Sequence, residues 1–86
     1  MSFFIRLSTK ATKFIKKLDK IDKERINEKV NKLSENPFPS DSVRVEKYKD
    51  YKIFRVRVGK FRILYGVDFN EKLIIIIEIN KRAKVY

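Results

Sequence analysis

Residues 73–79, with the sequence Leu-Ile-Ile-Ile-Ile-Glu-Ile, constrain the fold more than any other part of the chain. Six of the seven residues are apolar, but the run is much shorter than the ~20 apolar residues that cross a membrane. Isoleucine is β-branched and favours strands. Because apolar residues occupy both sets of alternating positions, both faces of the strand must be covered. We therefore predict a buried strand in the centre of a β-sheet.

Three further segments rich in β-branched and aromatic residues precede this run. We expect strands at residues 43–47, Tyr51–Val58 and Phe61–Asp68. Gly59-Lys60 and residues 68–72 then form hairpin connections. The second half of the chain is thus predicted to be an antiparallel meander.

The first half of the chain shows the 3.6-residue periodicity of amphipathic helices. After a short apolar strand at residues 3–7, Ser8 can cap a first helix and Asp22 a second one, which ends before Asn36-Pro37. Because the join is short, the two helices should form an antiparallel hairpin. We therefore predict an α+β fold, in which an N-terminal strand and a helical hairpin pack on one face of a twisted, mainly antiparallel sheet.

The predicted core combines the apolar stripes of the helices with strand residues that face them. Its expected members are Phe14, Ile15, Leu18, Ile26, Val30, Leu33, Phe54, Val56, Ile63, Ile75 and Ile77. A chain of 86 residues has room for one such core, so we expect residues 1–86 to form a single domain.

The chain is strongly basic. Its 22 Lys and Arg residues against 11 Asp and Glu give a net charge of +11, while seven Phe and four Tyr indicate a globular chain rather than a disordered tail. A nucleic acid or an acidic protein is the partner that this charge favours. The alternative is a lysine-rich surface that only keeps the protein in solution.

The absence of two residue types excludes several kinds of chemistry. Without Cys, neither disulfides nor thiolate metal sites can form, and without His the commonest general base is missing. Carboxylates are the only metal ligands left. The N-terminal residues 1–8 are interrupted by Arg6 and do not resemble a signal peptide, so we expect a cytoplasmic protein with no membrane partner.

Alternation along the third and fourth strands predicts a basic face. If Phe54 and Val56 face the helices, Arg55 and Arg57 point to the opposite side, where Arg62 of the next strand joins them. Other basic residues and tyrosines surround this face in the sequence. They are Arg44, Lys47, Lys49, Lys52, Lys60, Tyr48, Tyr51 and Tyr65.

Arginines that clamp phosphates and rings that stack on unpaired bases together suit single-stranded RNA. A solvated edge, in which long charged side chains cover apolar surface, is the alternative. Residues 80–86 add three positive charges and a terminal tyrosine.

Two motifs resemble the RelE/ParE toxin superfamily. Residues 51–65 are similar to its recurrent pattern Y-[KR]-x-x-[VL]-R-x-G-x-[YF]-R-[IVL]-x-Y, and residues 81–86 resemble the ending K/H-R-x-x-[VI]-Y of the RelE branch. With the helical hairpin in front, the resemblance extends over the whole chain. It implies a RelE-like fold of the microbial ribonuclease type.

The resemblance also implies roles for individual residues. Arg62 matches the arginine that grips the scissile phosphate, Arg82 a second phosphate-binding arginine, and Tyr86 the tyrosine that stacks on the messenger base. Arg55 falls where the branch has a catalytic lysine, and Lys52 matches the neighbouring lysine if the hairpin has one extra residue. Further contacts with RNA or the ribosome are expected from Arg44, Lys49, Arg57, Lys81 and Lys84.

By this resemblance the chain is the toxin of a type II toxin–antitoxin pair, an endoribonuclease that cleaves messenger RNA on the ribosome. A ribose 2′-hydroxyl would attack the adjacent phosphate, without a metal or another cofactor. Lys52 could act as the base if Arg55, Arg57 and Arg62 surround it and lower its pKa. The implied partners are an acidic, RelB-like antitoxin and the ribosome with bound messenger.

Two other functions remain open on the same fold. A ParE-like protein would poison DNA gyrase by binding it, without chemistry of its own. A third possibility is an RNA-binding module without catalytic activity.

Overall fold

The computed structural model describes residues 2–48 and 51–81. The elements in chain order are β1 (Phe4–Leu7), α1 (Thr9–Lys16), α2 (Lys20–Glu35), β2 (Val43–Tyr48), β3 (Tyr51–Val58), β4 (Phe61–Asp68) and β5 (Leu73–Lys81). The strands form one five-stranded sheet in the order β1-β5-β4-β3-β2. β1 runs parallel to β5, and all other neighbours are antiparallel. This confirms the predicted α+β fold with a mainly antiparallel sheet.

The central position in the sheet belongs to β4 rather than to β5. The prediction that the apolar run is the central strand was therefore wrong by one place. β5 is still an interior strand, because β1 pairs along its outer side over Leu73, Ile74, Ile75 and Ile76. β1 arrives from the start of the chain by a crossover, and only tertiary structure decides on which side of the run it adds.

The helix α1 begins where the sequence predicted. The Ser8 hydroxyl accepts a hydrogen bond from the Ala11 backbone N–H at 3.0 Å, as an N-cap does. The same hydroxyl donates to the Ile77 carbonyl at 2.6 Å. One side chain thus caps α1 and fastens it to β5.

The helix α2 begins three residues earlier than predicted. Asp19 is its N-cap, since the Asp19 carboxylate accepts from the Asp22 backbone N–H at 2.9 Å. Asp22 therefore lies in the first turn, where it forms an ion pair with Lys60 at 3.7 Å. The prediction that Asp22 caps α2 was wrong, because the backbone N–H of Asp22 itself donates to the Asp19 carboxylate. The helix ends at Glu35, before Asn36-Pro37, as expected. Within the described residues, neither helix is long and apolar enough to cross a membrane.

The core lies between the helices and one face of the sheet. The helices contribute Ala11, Ile26, Val30 and Leu33, and the strands contribute Phe54, Val56, Phe61, Ile63, Tyr65, Val67, Ile74, Ile76 and Ile79. The predicted members Phe14, Ile15 and Leu18 are partly buried against this cluster.

Ile75 and Ile77 were wrongly assigned to the core. Ile74 and Ile76 are buried there, while Ile75 is half-buried on the other face. A bulge between Leu64 and Tyr65 in the β4–β5 pairing then leaves Ile77 without a partner on β4. Alternation cannot fix the orientation of a strand in which both sets of positions are apolar.

Candidate nucleic-acid interface

The sheet face opposite the helices carries the predicted arginines. Val56 pairs with Ile63 in the core, so the flanking pairs Arg55 with Leu64 and Arg57 with Arg62 project to the other side. Arg55 and Arg62 are half-buried and Arg57 is exposed. The predicted convergence of three arginines on one face is confirmed.

Arg57 and Arg62 are direct cross-strand partners. Like charges at directly opposite positions of two strands disfavour a sheet. The donors of Arg57 and Arg62 can also converge on one tetrahedral anion, because each guanidinium presents a planar fork of N–H groups. We call the set Arg55, Arg57 and Arg62 the arginine face.

The strand β5 borders the arginine face with one carboxylate and one amide. Asn80 pairs with Arg62 and Glu78 pairs with Leu64, so both belong to the same side of the sheet. The Asn80 side-chain amide donates to Glu78 Oε2 at 3.0 Å. Lys10 Nζ of α1 lies 3.3 Å from the same oxygen.

Two depressions flank this region. One, of about 290 Å³, lies at the edge of β3 and is lined by Asp41, Val43, Arg55, Val56 and Arg57. The other, of about 300 Å³, lies between α1 and the end of β5. Its lining includes Lys10, Lys13, Lys17, Glu78 and Asn80. We call this second depression the lysine cleft.

Lys52 does not belong to the arginine face. It pairs with Val67, and alternation along β3 places its exposed side chain on the same side of the sheet as Phe54. Its ammonium lies 5.6 Å from the centre of the Phe69 ring. The expected cationic neighbourhood of Lys52 is therefore wrong, because Arg55, Arg57 and Arg62 project from the opposite side.

Tyr65 cannot stack on a base. Its side chain is fully buried in the core, and its hydroxyl donates to the Pro37 carbonyl at 2.7 Å. Burial raises the pKa of Tyr65 to about 12. The interpretation of Tyr65 as part of an RNA-binding stripe was wrong, since alternation along β4 turns it toward the helices together with Ile63.

The remaining predicted site residues lie elsewhere or outside the described residues. Arg44 of the edge strand β2 pairs with Phe54 of β3, and Lys81 at the end of β5 pairs with Phe61 of β4. Both positions therefore lie on the side of the sheet that the helices cover, and they do not extend the arginine face. Lys49, Arg82, Lys84 and Tyr86 lie outside the residues that the structure describes.

Glu78 and Asn80 were missed by the sequence analysis. The signal was present, because Glu78 is the only charged residue in the run 73–79 and Asn80 follows two positions later. That spacing puts both side chains on one face of a strand. The lysines of α1 were noticed only as the polar side of an amphipathic helix. In residues 2–48 and 51–81, no group of three or more Asp or Glu side chains could hold a metal ion.

Comparison with known proteins identifies relatives over almost the whole chain. Residues 5–86 match the family described as the ParE toxin of the type II toxin–antitoxin system parDE. A protein of Methanocaldococcus jannaschii that carries the name toxin RelE1 is 30% identical over 87 residues, covering 100% of this chain and 97% of that protein.

Solved structures share the fold. A chain of the archaeal RelE–RelB complex from Pyrococcus horikoshii superposes with a TM-score of 0.89 at 25% identity, over 99% of this chain and 100% of that chain. The toxin–antitoxin complex RelBE2 of Mycobacterium tuberculosis gives 0.80 at 22% identity, over 98% and 95%. The isolated RelE toxin of E. coli gives 0.77 at 19% identity, over 98% and 88%.

Proposed function

Because the chain belongs to the RelE/ParE family of toxins from type II toxin–antitoxin systems, we propose that it is an endoribonuclease that cleaves messenger RNA on the ribosome. The observation that carries this proposal is the arginine face. Arg57 and Arg62 stand directly opposite each other on the side of the sheet that the helices leave uncovered.

The position of these arginines supports a role in anion binding. Arg57 is exposed, and its cross-strand partner Arg62 lies on the same side of the sheet. A guanidinium group can bind a phosphate through two parallel hydrogen bonds. The arginine face is suited to a phosphate that gains negative charge during a reaction.

The proposed reaction is an attack of the ribose 2′-oxygen on the adjacent phosphorus. The new O2′–P bond forms, the bond from phosphorus to the 5′-oxygen breaks, and the proton lost by the 2′-hydroxyl is balanced by one gained at the 5′-oxygen. The products are a 2′,3′-cyclic phosphate and a free 5′-hydroxyl. Arg62, with Arg57 and Arg55 beside it, would stabilise the negative charge of the pentacoordinate phosphorus.

Residues outside the described part of the chain would complete the site. By their motif, Arg82 would bind phosphate a second time and Tyr86 would stack on the messenger base. Lys52 is less suited to the role of base than its motif suggested, since it projects from the helix side of β3. The ribosome would hold the messenger in the geometry that attack requires.

The proposed partners are an acidic, RelB-like antitoxin and the ribosome with its messenger. Complexes of RelE-type toxins with RelB antitoxins are among the solved structures that share this fold. The net charge of +11 would favour both an acidic protein and ribosomal RNA.

A translation assay with purified components tests the proposal. Messenger bound to ribosomes should be cut at mapped positions when the wild-type chain is added, and the products should end in 2′,3′-cyclic phosphate. The Arg62→Ala variant should lose this activity. Lys32→Ala, which removes an exposed cation from the last turn of α2, should keep it. Intact messenger in the presence of folded wild-type protein would contradict the proposal.

The family match gives a second candidate function. Since the matching family model describes ParE toxins, the chain could instead inhibit DNA gyrase by binding it. In that case supercoiling by purified gyrase would stop when the protein is added, while translation and messenger would stay intact. The two assays therefore separate the candidates.

A further inference from the structure

The lysine cleft lies beside β5, at the part of the strand that α1 rather than β1 contacts. β1 pairs with β5 only as far as Ile76, and α1 lies along the remaining part of β5. The cleft has a volume of about 300 Å³. Asn80 in its wall is the direct partner of Arg62, so the cleft adjoins the arginine face.

The charges of the cleft favour a phosphate. Lys10, Lys13 and Lys17 are spaced three and four residues apart, which places them along one side of α1. Three lysines and one glutamate leave two net positive charges around the cleft. Because Glu78 holds Lys10 at 3.3 Å, Lys13 and Lys17 are the cations available to a ligand.

The carboxylate of Glu78 is not explained by phosphate binding, since it would repel the ligand. It does suit a hydroxyl group on the same ligand. Both of its observed contacts, from Asn80 and Lys10, use the Oε2 atom. The described contacts leave the other oxygen, Oε1, able to accept a hydrogen bond, and a ribose 2′-hydroxyl can donate one.

We propose that the lysine cleft is a ribonucleotide subsite, in which Lys13 and Lys17 bind a backbone phosphate and Glu78, oriented by Asn80 and Lys10, accepts a hydrogen bond from a ribose 2′-hydroxyl. This inference rests on the proposed RNA-directed function. It adds a subsite next to the phosphate bound by the arginine face, and it assigns to Glu78 the distinction between RNA and DNA.

Binding of paired oligonucleotides tests the role of Glu78. The probes are a short single-stranded RNA and a DNA of the same bases, with deoxyuridine in place of uridine, so that only the 2′-hydroxyls differ. The wild-type chain should bind the RNA more tightly. Glu78→Ala should reduce the ratio of RNA to DNA affinity by about fivefold or more, which corresponds to one lost hydrogen bond. The matched control is Glu24→Ala, which removes an exposed carboxylate that does not line the cleft and should preserve the ratio.

The salt dependence of binding tests the role of the lysines. Lys13→Ala combined with Lys17→Ala should weaken binding of both probes and reduce the slope of log affinity against log salt by about 0.7 per lost phosphate contact. The matched control is Lys16→Ala combined with Lys20→Ala, which removes the same charge from exposed residues that do not line the cleft. Circular dichroism should show that all variants are folded.

The outcomes separate this inference from the proposed function. Equal effects of the cleft pair and the control pair, or an unchanged RNA to DNA ratio in Glu78→Ala, would overturn the subsite. Loss of antitoxin binding without loss of RNA binding would also overturn it and mark the cleft as a protein-docking surface. A wild-type chain that binds RNA through the cleft but cleaves no messenger would refute only the nuclease.

Discussion

Arg57 offers a test in which stability and activity should change independently. Its side chain is exposed and stands opposite Arg62, so removing it relieves a like-charge pair. We expect Arg57→Ala to keep the free energy of unfolding or to raise it by about 0.2–1 kcal/mol. Messenger cleavage should fall about 10- to 100-fold, as for a lost hydrogen bond to a charged group. Urea denaturation and the translation assay measure the two quantities, and a variant that loses both together would indicate a structural arginine.

Tyr65 should behave in the opposite way. Replacing it with Phe removes the donor to the Pro37 carbonyl, which should lower the free energy of unfolding by about 1–3 kcal/mol and leave cleavage unchanged. Loss of activity without loss of stability would contradict this purely structural role of Tyr65.

Tyr65 also predicts a pH dependence. Its pKa of about 12 in the folded protein lies above the ordinary value of 10.0, so the unfolded chain ionises first as the pH rises. The contribution of Tyr65 to stability is therefore complete below pH 10 and is lost toward pH 12. The stability difference between wild type and Tyr65→Phe should shrink over this range in urea titrations at several pH values.

At the scale of residues, the sequence predicted best where apolar and charged side chains alternate. Phe54 and Val56 fixed the orientation of β3, and Arg55 and Arg57 followed from them. The same alternation places Lys52 on the helix side, but a motif match suggested a catalytic position instead. A motif specifies only the order of residues, whereas alternation along the pleated strand determines the side of the sheet to which each side chain projects.

The Ser8 hydroxyl joins two elements, and its removal should cost more than the loss of an ordinary cap. It caps α1 and also donates to the Ile77 carbonyl of β5. We expect Ser8→Ala to lower the free energy of unfolding by about 1–2 kcal/mol. Asp19→Ala is the control, because Asp19 caps α2 through a single exposed hydrogen bond. An equal cost in the two variants would show that the bond to β5 adds nothing.

Two neighbouring isoleucines test the orientation of β5. Ile76 is fully buried beneath the helices, so Ile76→Ala should cost about 2–5 kcal/mol. Ile75→Ala should cost clearly less, since Ile75 is only half-buried on the opposite face. Thermal or urea denaturation measures both. The reverse order would mean that the strand is turned over.

At the scale of elements, the position of most strands was predictable and the start of α2 was not. The limits of β3 and β4 coincide with the predicted ones, because turn residues bound both strands. The capping signal before α2 was ambiguous, since Asp19 and Asp22 both suit an N-cap. The lysine cleft could not be predicted, because it depends on where α1 meets β5 in space.

The whole molecule should depend on an oppositely charged partner. A toxin with a net charge of +11 would attract an acidic antitoxin, which we expect to cover the arginine face. Co-expression with the adjacent reading frame should give a stable complex, and this complex should no longer cleave messenger on ribosomes. A complex that forms but cleaves as fast as the free toxin would rule out neutralisation by binding. A complex that depends on the lysines of α1 rather than on Arg55, Arg57 and Arg62 would place the antitoxin on the helices.

The parallel pairing of β1 with β5 has a consequence for the timing of folding. Phe4 pairs with Leu73, so β1 can join the sheet only after β5, which is synthesised much later. Contacts so distant in sequence form slowly, because a long loop must close first. A growing chain therefore cannot complete the sheet while β5 is still inside the ribosome. Until then, the edge of β1 lacks its partner strand and is open to pairing with another chain.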